Sequence, residues 1–113
     1  MSERSFELLI DDITSCCSKI LEYTTGMNFQ NFENDSKTFD AVIRNFEIIG
    51  EASNRISENE KEKFENIDWH KLRGMRNRLI HDYEGINPEL IWDTIQNRIP
   101  ELLVELNKIK NKL

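Results

Sequence analysis

The 113-residue sequence has few of the residues that end secondary structure, with only four Gly and two Pro. A fold of many short strands needs more turn residues than this, so the composition argues against an all-β protein. No apolar run approaches the roughly 20 residues needed to cross a bilayer. Acidic residues interrupt the first apolar segment, MSERSFELLIDDI, which argues against a secretory signal. We therefore expect one helical domain over residues 1–113, located in the cytoplasm.

Cysteine is also scarce, because the adjacent pair Cys16 and Cys17 is all that the chain contains. A disulfide between sequence neighbours would be strained, so we expect two reduced thiols, as is usual in the cytoplasm. The two histidines, His70 and His81, are far apart, and no CxxC, HxxxH or ExxH spacing occurs. Neither a Ser-His-Asp arrangement nor a glycine-rich phosphate loop can be assigned. The sequence therefore predicts no metal site and no cofactor.

Charge is distributed unevenly along this acidic chain. There are 21 Asp and Glu against 15 Lys and Arg, a net charge of −6. Residues 70–81, HKLRGMRNRLIH, contain no acid but carry Lys71, Arg73, Arg76 and Arg78. The net charge argues against nucleic-acid binding by the whole surface, while the basic segment leaves room for one local anion site.

Apolar residues recur at helical spacing through most of the chain, and no alternating strand pattern is present. The pattern predicts an all-α, up-and-down bundle of four to five helices. A short helical turn is expected near residues 29–32, and a partly helical, charged connector near residues 57–66. The first long helix is expected over about residues 2–24, and the second from a cap at Asn34, Asp35 or Ser36 to about residue 57. The third should begin at residue 69, capped by Asp68, and end near residues 82–85. The fourth should begin at Asn87-Pro88-Glu89 and run to the end, with a kink or restart at Pro100.

On a wheel of about 100° per residue, the basic helix has an unusual arginine. Arg76 falls inside the apolar arc, whereas Arg73, Asn77 and His81 form a polar stripe beside it. Arg78 lies on the far side and looks like ordinary surface charge. Arg76 and His81 are about 140° apart on an ideal helix, so they do not converge without help from another element or another chain.

Three interpretations of Arg76 remain open from the residues alone. The guanidinium can reach solvent along its own stem, pair with a buried acid such as Glu47 or Glu51, or stand at a subunit seam that receives an anion. The role of His81 is also undecided from the residues alone, because a histidine near a helix C-terminus often only interacts favourably with the helix dipole. Tyr83 by default packs the following turn.

These residue types nevertheless suit one reaction, which is RNA cleavage through the 2′-hydroxyl. Histidine can move the proton, and arginine can hold the phosphate and its developing negative charge. The 2′-oxygen of the RNA is itself the nucleophile, so the protein needs none.

The motif and its surroundings resemble the HepT-type toxins of the HEPN superfamily. Arg76, His81 and Tyr83 match the RxxxxHxY pattern of that family. The segments AVIRNFEIIGEASNRIS (41–57), GMRNRLIHDY (74–83) and PELIWDTIQNRIPEL (88–102) also look like the family, in the same order. The similarity covers roughly residues 5–108.

The resemblance implies a homodimer of helical bundles with both motifs in a cleft between protomers. It implies a toxin that is a metal-independent endoribonuclease acting on an RNA such as tRNA or mRNA, with Arg76 and His81 as catalytic residues and Asn77 and Arg73 in support. The partner is expected to be an MNT-type nucleotidyltransferase antitoxin, which can AMPylate Tyr83. Many relatives have an aromatic residue after that tyrosine, whereas this chain has Glu84.

Two other functions stay open at this stage. The chain is alternatively a non-catalytic companion of a nucleotidyltransferase, holding a nucleotide or RNA on the same basic helix. A third hypothesis is a helical dimerisation domain in which Arg76 forms a structural salt bridge. That hypothesis predicts a sharp loss of stability when Arg76 is removed.

Overall fold

The computed structural model describes residues 5–81 and 85–113, and no strand occurs within them. The all-α prediction is confirmed, with four long helical stretches and two short helices between them. In chain order the elements are α1 (Phe6–Tyr23), α2 (Phe29–Asn34), α3 (Ser36–Arg55), α4 (Glu58–Lys63), α5 (Trp69–His81), α6 (Pro88–Asp93), a π-helical turn (Thr94–Arg98) and α7 (Ile99–Lys112).

Local hydrogen bonds start three of the helices, α3, α5 and α6, where the sequence predicts them. Asp35, one of the three candidates, caps α3, because its carboxylate accepts from the Thr38 backbone N–H at 3.0 Å and from the Thr38 hydroxyl at 2.8 Å. These hydrogen bonds, the backbone one first, lower the pKa of Asp35. Asp68 accepts from the Lys71 backbone N–H at 3.1 Å, and Asn87 accepts from the Glu89 N–H at 2.9 Å, so α5 and α6 also begin as expected.

The boundaries differ from the predictions in small ways. Helix α1 begins after the Ser5 cap rather than near residue 2, and α2 is longer than a single turn. Ahead of Pro100 the chain passes through the π-helical turn and restarts as α7. Proline has no N–H to donate and its ring crowds the carbonyl four residues earlier, so a regular α-helix is not expected to run unbroken through this point.

Helix α1 packs against both α3 and α7, and α3 also carries α5 on another side. Within the described residues α3 is the main support of α5, so the position of the basic helix is set chiefly by one helix–helix contact. No described helix is both long and apolar enough to cross a membrane. The most deeply buried side chains, which form the core, are Phe32, Phe46, Ile10, Ile13, Ile20, Ile43, Ile49, Ile95, Ile99, Leu106, Val42 and Cys17.

Both thiols are free and buried, because α1 has neighbours on two sides and adjacent positions of a helix point about 100° apart. Burial raises the pKa of Cys17 to about 12 and also raises the pKa of Cys16. Because the thiolate is the reactive form, we expect neither cysteine of the native protein to react with iodoacetamide at pH 8. The unfolded chain should add two groups, as measured by intact mass. A single rapid addition to the native protein would contradict this packing.

Candidate active site

Helix α5 lies so close to α3 that one residue of α3 must lack a side chain. Gly50 is buried in the C-terminal half of α3, facing Arg76 of α5. A Cβ atom at Gly50 would lie 2.6 Å from Arg76 Cγ and 3.2 Å from the Leu72 carbonyl oxygen, and closer still to Arg76 Cβ. Real Cβ atoms essentially never approach other atoms to less than 3.0 Å. The stem of Arg76 therefore occupies the space that a side chain at position 50 would fill.

The Arg76 side chain is half-buried and turns toward the polar stripe. Its Nη1 donates a hydrogen bond to Asn77 Oδ1 at 3.2 Å. Its Nε is buried and has no hydrogen-bond acceptor among the described residues. Every other buried side-chain nitrogen or oxygen of those residues has a hydrogen-bond partner. A buried donor left unpaired costs about 1–3 kcal/mol, so this arrangement needs a reason beyond packing.

One sequence-based alternative, a salt bridge between Arg76 and Glu47 or Glu51, is contradicted by the structure. Glu47 pairs with Arg44 of its own helix at 3.6 Å. Arg76 forms no ion pair with any described acid. The reason is the direction of the side chain, which extends from the Gly50 contact along α5 to Asn77 rather than across to the carboxylates of α3.

The rest of the polar stripe is accessible. Arg73 and His81 are exposed, Asn77 is half-buried, and His81 is the last residue of α5. Neither the Arg73 side chain nor the His81 side chain makes a hydrogen bond or ion pair within residues 5–81 and 85–113, which leaves both able to contact a ligand. The structure joins Arg76 directly to Asn77 and leaves Arg73 and His81 as separate members of the same surface. Tyr83 and Glu84 lie outside the described residues.

A groove of about 690 Å³ lies on the other side of α5, between that helix and the α6–α7 stretch. The α5 residues that line it include Leu72, Met75 and Leu79, with Arg78 also at its wall. Arg78 is thus exposed, as predicted, but it stands beside an apolar groove. None of Arg76, Asn77 and His81 lines this groove, so the RxxxxH residues belong to a different face of the helix.

The charges on the stripe favour an anion. Lys71, which lines the groove on the other side of α5 and pairs with Asp68 at 4.0 Å, is not part of the stripe. Arg73 and Arg76 have no acidic partner in the described part of the chain. Two adjacent unpaired guanidinium groups present fork-shaped donors that match the oxygens of a phosphate. Within those same residues, no three His, Cys, Asp or Glu side chains are grouped as metal ligands would be.

Sequence reasoning missed Gly50, although a signal was present. Glycine in a helix interior is about 1 kcal/mol less favourable than alanine, so the glycine of NFEIIGEAS in an otherwise strong helical pattern indicates a close backbone approach. The partner of that approach cannot be read from the sequence, because Arg76 is 26 positions away and meets Gly50 only through the packing of α3 on α5.

Gly74, in the interior of α5, provides the contrast. A Cβ atom there would meet nothing within 4 Å. We expect Gly74→Ala to raise the free energy of unfolding by about 1 kcal/mol, because alanine is the better helix former and nothing opposes it. Thermal unfolding followed by circular dichroism should show a melting temperature a few degrees higher. A decrease would mean that another chain covers this face of α5, since Gly74 is seven residues from His81 and lies on the same side of the helix.

Comparisons with known proteins identify the family of the chain. The family model described as "Ribonuclease HepT-like" matches residues 13–109. A provisionally named RNase of Methanocaldococcus jannaschii is 36% identical over 109 residues, which is 96% of this chain and 90% of the relative. One from Caldanaerobacter subterraneus subsp. tengcongensis is 36% identical over 103 residues, 91% and 92% of the two chains. The "probable ribonuclease HepT" of Thermococcus cleftensis is 37% identical over 108 residues, 96% of this chain and 98% of the relative.

No solved structure matches the chain. The family match spans most of the sequence and includes α3 and α5, the two helices that place Arg76. The predicted resemblance to the HepT-type proteins is thereby confirmed at the level of the family. The chain belongs to the HepT-like ribonuclease family of the HEPN superfamily.

Proposed function

We propose that this protein is the toxin of a HEPN/MNT toxin–antitoxin pair and acts as a metal-independent endoribonuclease. Arg76 and His81 are its catalytic residues, with Asn77 and Arg73 in support. The proposal is supported above all by the way in which the Arg76 side chain is held. Its stem is fixed against Gly50, its Nη1 is held by Asn77, and its buried Nε has no acceptor among the described residues. Such a guanidinium is oriented in advance, which is what transition-state stabilisation requires.

The reaction is an internal transfer within the RNA. A histidine removes the proton of a 2′-hydroxyl, and the 2′-oxygen attacks the adjacent phosphorus atom. The bond from phosphorus to the 5′-oxygen breaks, and that oxygen takes a proton from an acid. The products are a 2′,3′-cyclic phosphate and a 5′-hydroxyl, so no water, metal or protein nucleophile is consumed. Arg76 stabilises the negative charge that builds on the phosphate oxygens.

Two protomers are needed for a complete site. One base and one acid must stand on opposite sides of the phosphate, and each chain offers one exposed histidine on this stripe, His81. Within one chain the stripe is an exposed helix face, and the 690 Å³ groove lies elsewhere. A homodimer that brings two α5 helices together supplies two His81 and two Arg76 to one cleft. It also overcomes the 140° offset between these positions on a single helix.

The proposed antitoxin is an MNT-type nucleotidyltransferase, and the proposed acceptor of AMP is Tyr83. A bulky negative group two residues from His81 would repel phosphate from the stripe. The toxin is then neutralised by electrostatic repulsion, because the attached AMP has the same sign of charge as the RNA that the basic residues attract.

The test uses protein expressed without any antitoxin and shown by intact mass to carry no added AMP. Purified protein is incubated with tRNA and with total RNA in EDTA, and the products are separated on a denaturing gel. We expect internal cleavage of RNA and a dimer by light scattering. Intact RNA combined with saturable RNA binding would instead support the non-catalytic companion subunit. Cleavage that appears only after divalent metal is restored would contradict the metal-independent reaction.

A further inference from the structure

We infer that Gly50 is a positioning residue for Arg76, and that its missing side chain is what fixes the guanidinium for catalysis. This inference rests on the proposed role of Arg76 but adds a residue from another helix to the site. Gly50 lies in α3, outside the RxxxxHxY segment, and it is buried.

The contact is a steric slot rather than an ordinary helix crossing. Arg76 Cβ and Cγ fill the volume above the Gly50 backbone, with Cγ 2.6 Å from where a Cβ would be. On the same side, the Leu72 carbonyl oxygen lies 3.2 Å from that point, so the backbone of α5 is itself close. An added methyl group therefore meets both a side-chain stem and a helix backbone. The stem cannot swing away freely, because its Cβ is attached to α5.

The slot also determines what the far end of Arg76 can do. Once Cβ and Cγ are held against Gly50, the guanidinium emerges beside Asn77, and Nη1 donates to the Asn77 carbonyl at 3.2 Å. Nε remains buried and has no hydrogen-bond acceptor among the described residues. Pushing α5 off α3 by the size of a methyl group would move Nη1 and Nε together. Misplacement by about 1 Å lowers rates by roughly 100-fold in well-positioned sites.

The first arm of the test follows the Arg76 Nε–H group by ¹⁵N NMR in the folded protein. Its resonance is the one that disappears in Arg76→Lys, a variant that keeps the β and γ carbons. In the parent protein we expect slow exchange of this proton with solvent, because Nε is buried. Gly50→Ala should change the chemical shift of the Nε–H group and speed its exchange with solvent roughly tenfold or more, because the contact between α3 and α5 is loosened. Gly74→Ala, a matched change on α5 with open space, should leave it as in the parent. An unchanged resonance in Gly50→Ala would overturn the inference.

The second arm measures cleavage at a temperature where every variant is folded. Gly50→Ala should lower kcat roughly 10- to 100-fold with little change in KM. The same substitution in the Arg76→Gly background should have no further effect, because the β and γ carbons that it meets and the guanidinium that it displaces are already absent. Val42→Ala, which removes a buried side chain elsewhere on α3, serves as the stability control and should keep the parental kcat. An equal loss of kcat in both backgrounds would show that Gly50 acts on stability alone.

A third variant covers the case in which Gly50→Ala does not fold. Arg76→Gly removes the β and γ carbons that fill the slot, so Gly50→Ala combined with Arg76→Gly should regain a cooperative thermal transition. Failure of that rescue would overturn the contact. The arms also separate this inference from the proposed function. If Arg76→Ala cuts RNA as well as the parent, the catalytic assignment fails, while the NMR arm still decides whether Gly50 positions Arg76.

Discussion

Arg76→Ala is expected to lower the rate of RNA cleavage by about 10²–10³-fold while leaving the fold intact. The loss in rate follows from removing an oriented donor that faces the charge developing on the phosphate. The fold should survive because Arg76 forms no ion pair with any described acid, so no carboxylate is left buried and unpaired. This is opposite to the sharp destabilisation that a structural salt bridge would produce. Initial rates on a fluorescent RNA, together with a thermal melt, measure both quantities.

Two controls make the Arg76 result specific. Arg78→Ala removes an equally charged residue of the same helix on the groove side, and its kcat should remain close to that of the parent. Arg76→Lys keeps a positive charge but loses the fork of donors, so it should restore only part of the rate. If Arg78→Ala and Arg76→Ala lose the same activity, the basic helix contributes only general attraction for RNA.

His81→Ala should abolish cleavage, with a loss of about 10²–10⁴-fold, because no other group of the stripe can exchange a proton near neutral pH. The melting temperature should change little, since His81 is exposed and its favourable interaction with the helix end is worth less than about 1 kcal/mol. His70→Ala is the matched control, since His70 is an exposed histidine at the start of the same helix.

The two variants also test each other. In a dimer with a shared cleft, His81→Ala should still bind RNA with near-parental affinity, whereas Arg76→Ala should bind more weakly. Fluorescence anisotropy with an RNA that carries 2′-O-methyl groups gives both affinities without cleavage. A His81→Ala variant that cuts RNA at the parental rate would remove His81 from the mechanism.

The helical fold was predictable because most of its signals are local. Asp68 and Asn87 bind backbone N–H groups within three residues, so cap and helix can be read from the same short segment. The position of Arg76 on the apolar face of α5 was likewise visible from helical spacing alone. The choice among Asn34, Asp35 and Ser36 needed the structure, since all three can cap a helix. So did the π-helical turn ahead of Pro100.

The environment of Arg76 was not predictable, because it depends on how α5 crosses α3. Spacing along the chain placed Glu47 and Glu51 on a neighbouring helix but could not show that the guanidinium turns away from them to Asn77. The approach at Gly50 is similarly non-local, and it fixes a distance that no residue near Arg76 in the sequence reveals. The residues proposed as catalytic could therefore be chosen from the motif, whereas the contact that orients Arg76 could not.

In the proposed reaction, the surface formed by Arg76, Asn77 and His81 promotes attack by the 2′-oxygen of RNA. The most direct measurement compares a short RNA that the protein cuts at a mapped position with the same RNA carrying one 2′-deoxynucleotide before the cut phosphate, both in EDTA. We predict a 2′,3′-cyclic phosphate and a 5′-hydroxyl from the first, and no cleavage at that position in the second. Equal cleavage of the two oligonucleotides would contradict the account, because the attacking oxygen would then come from water or from the protein.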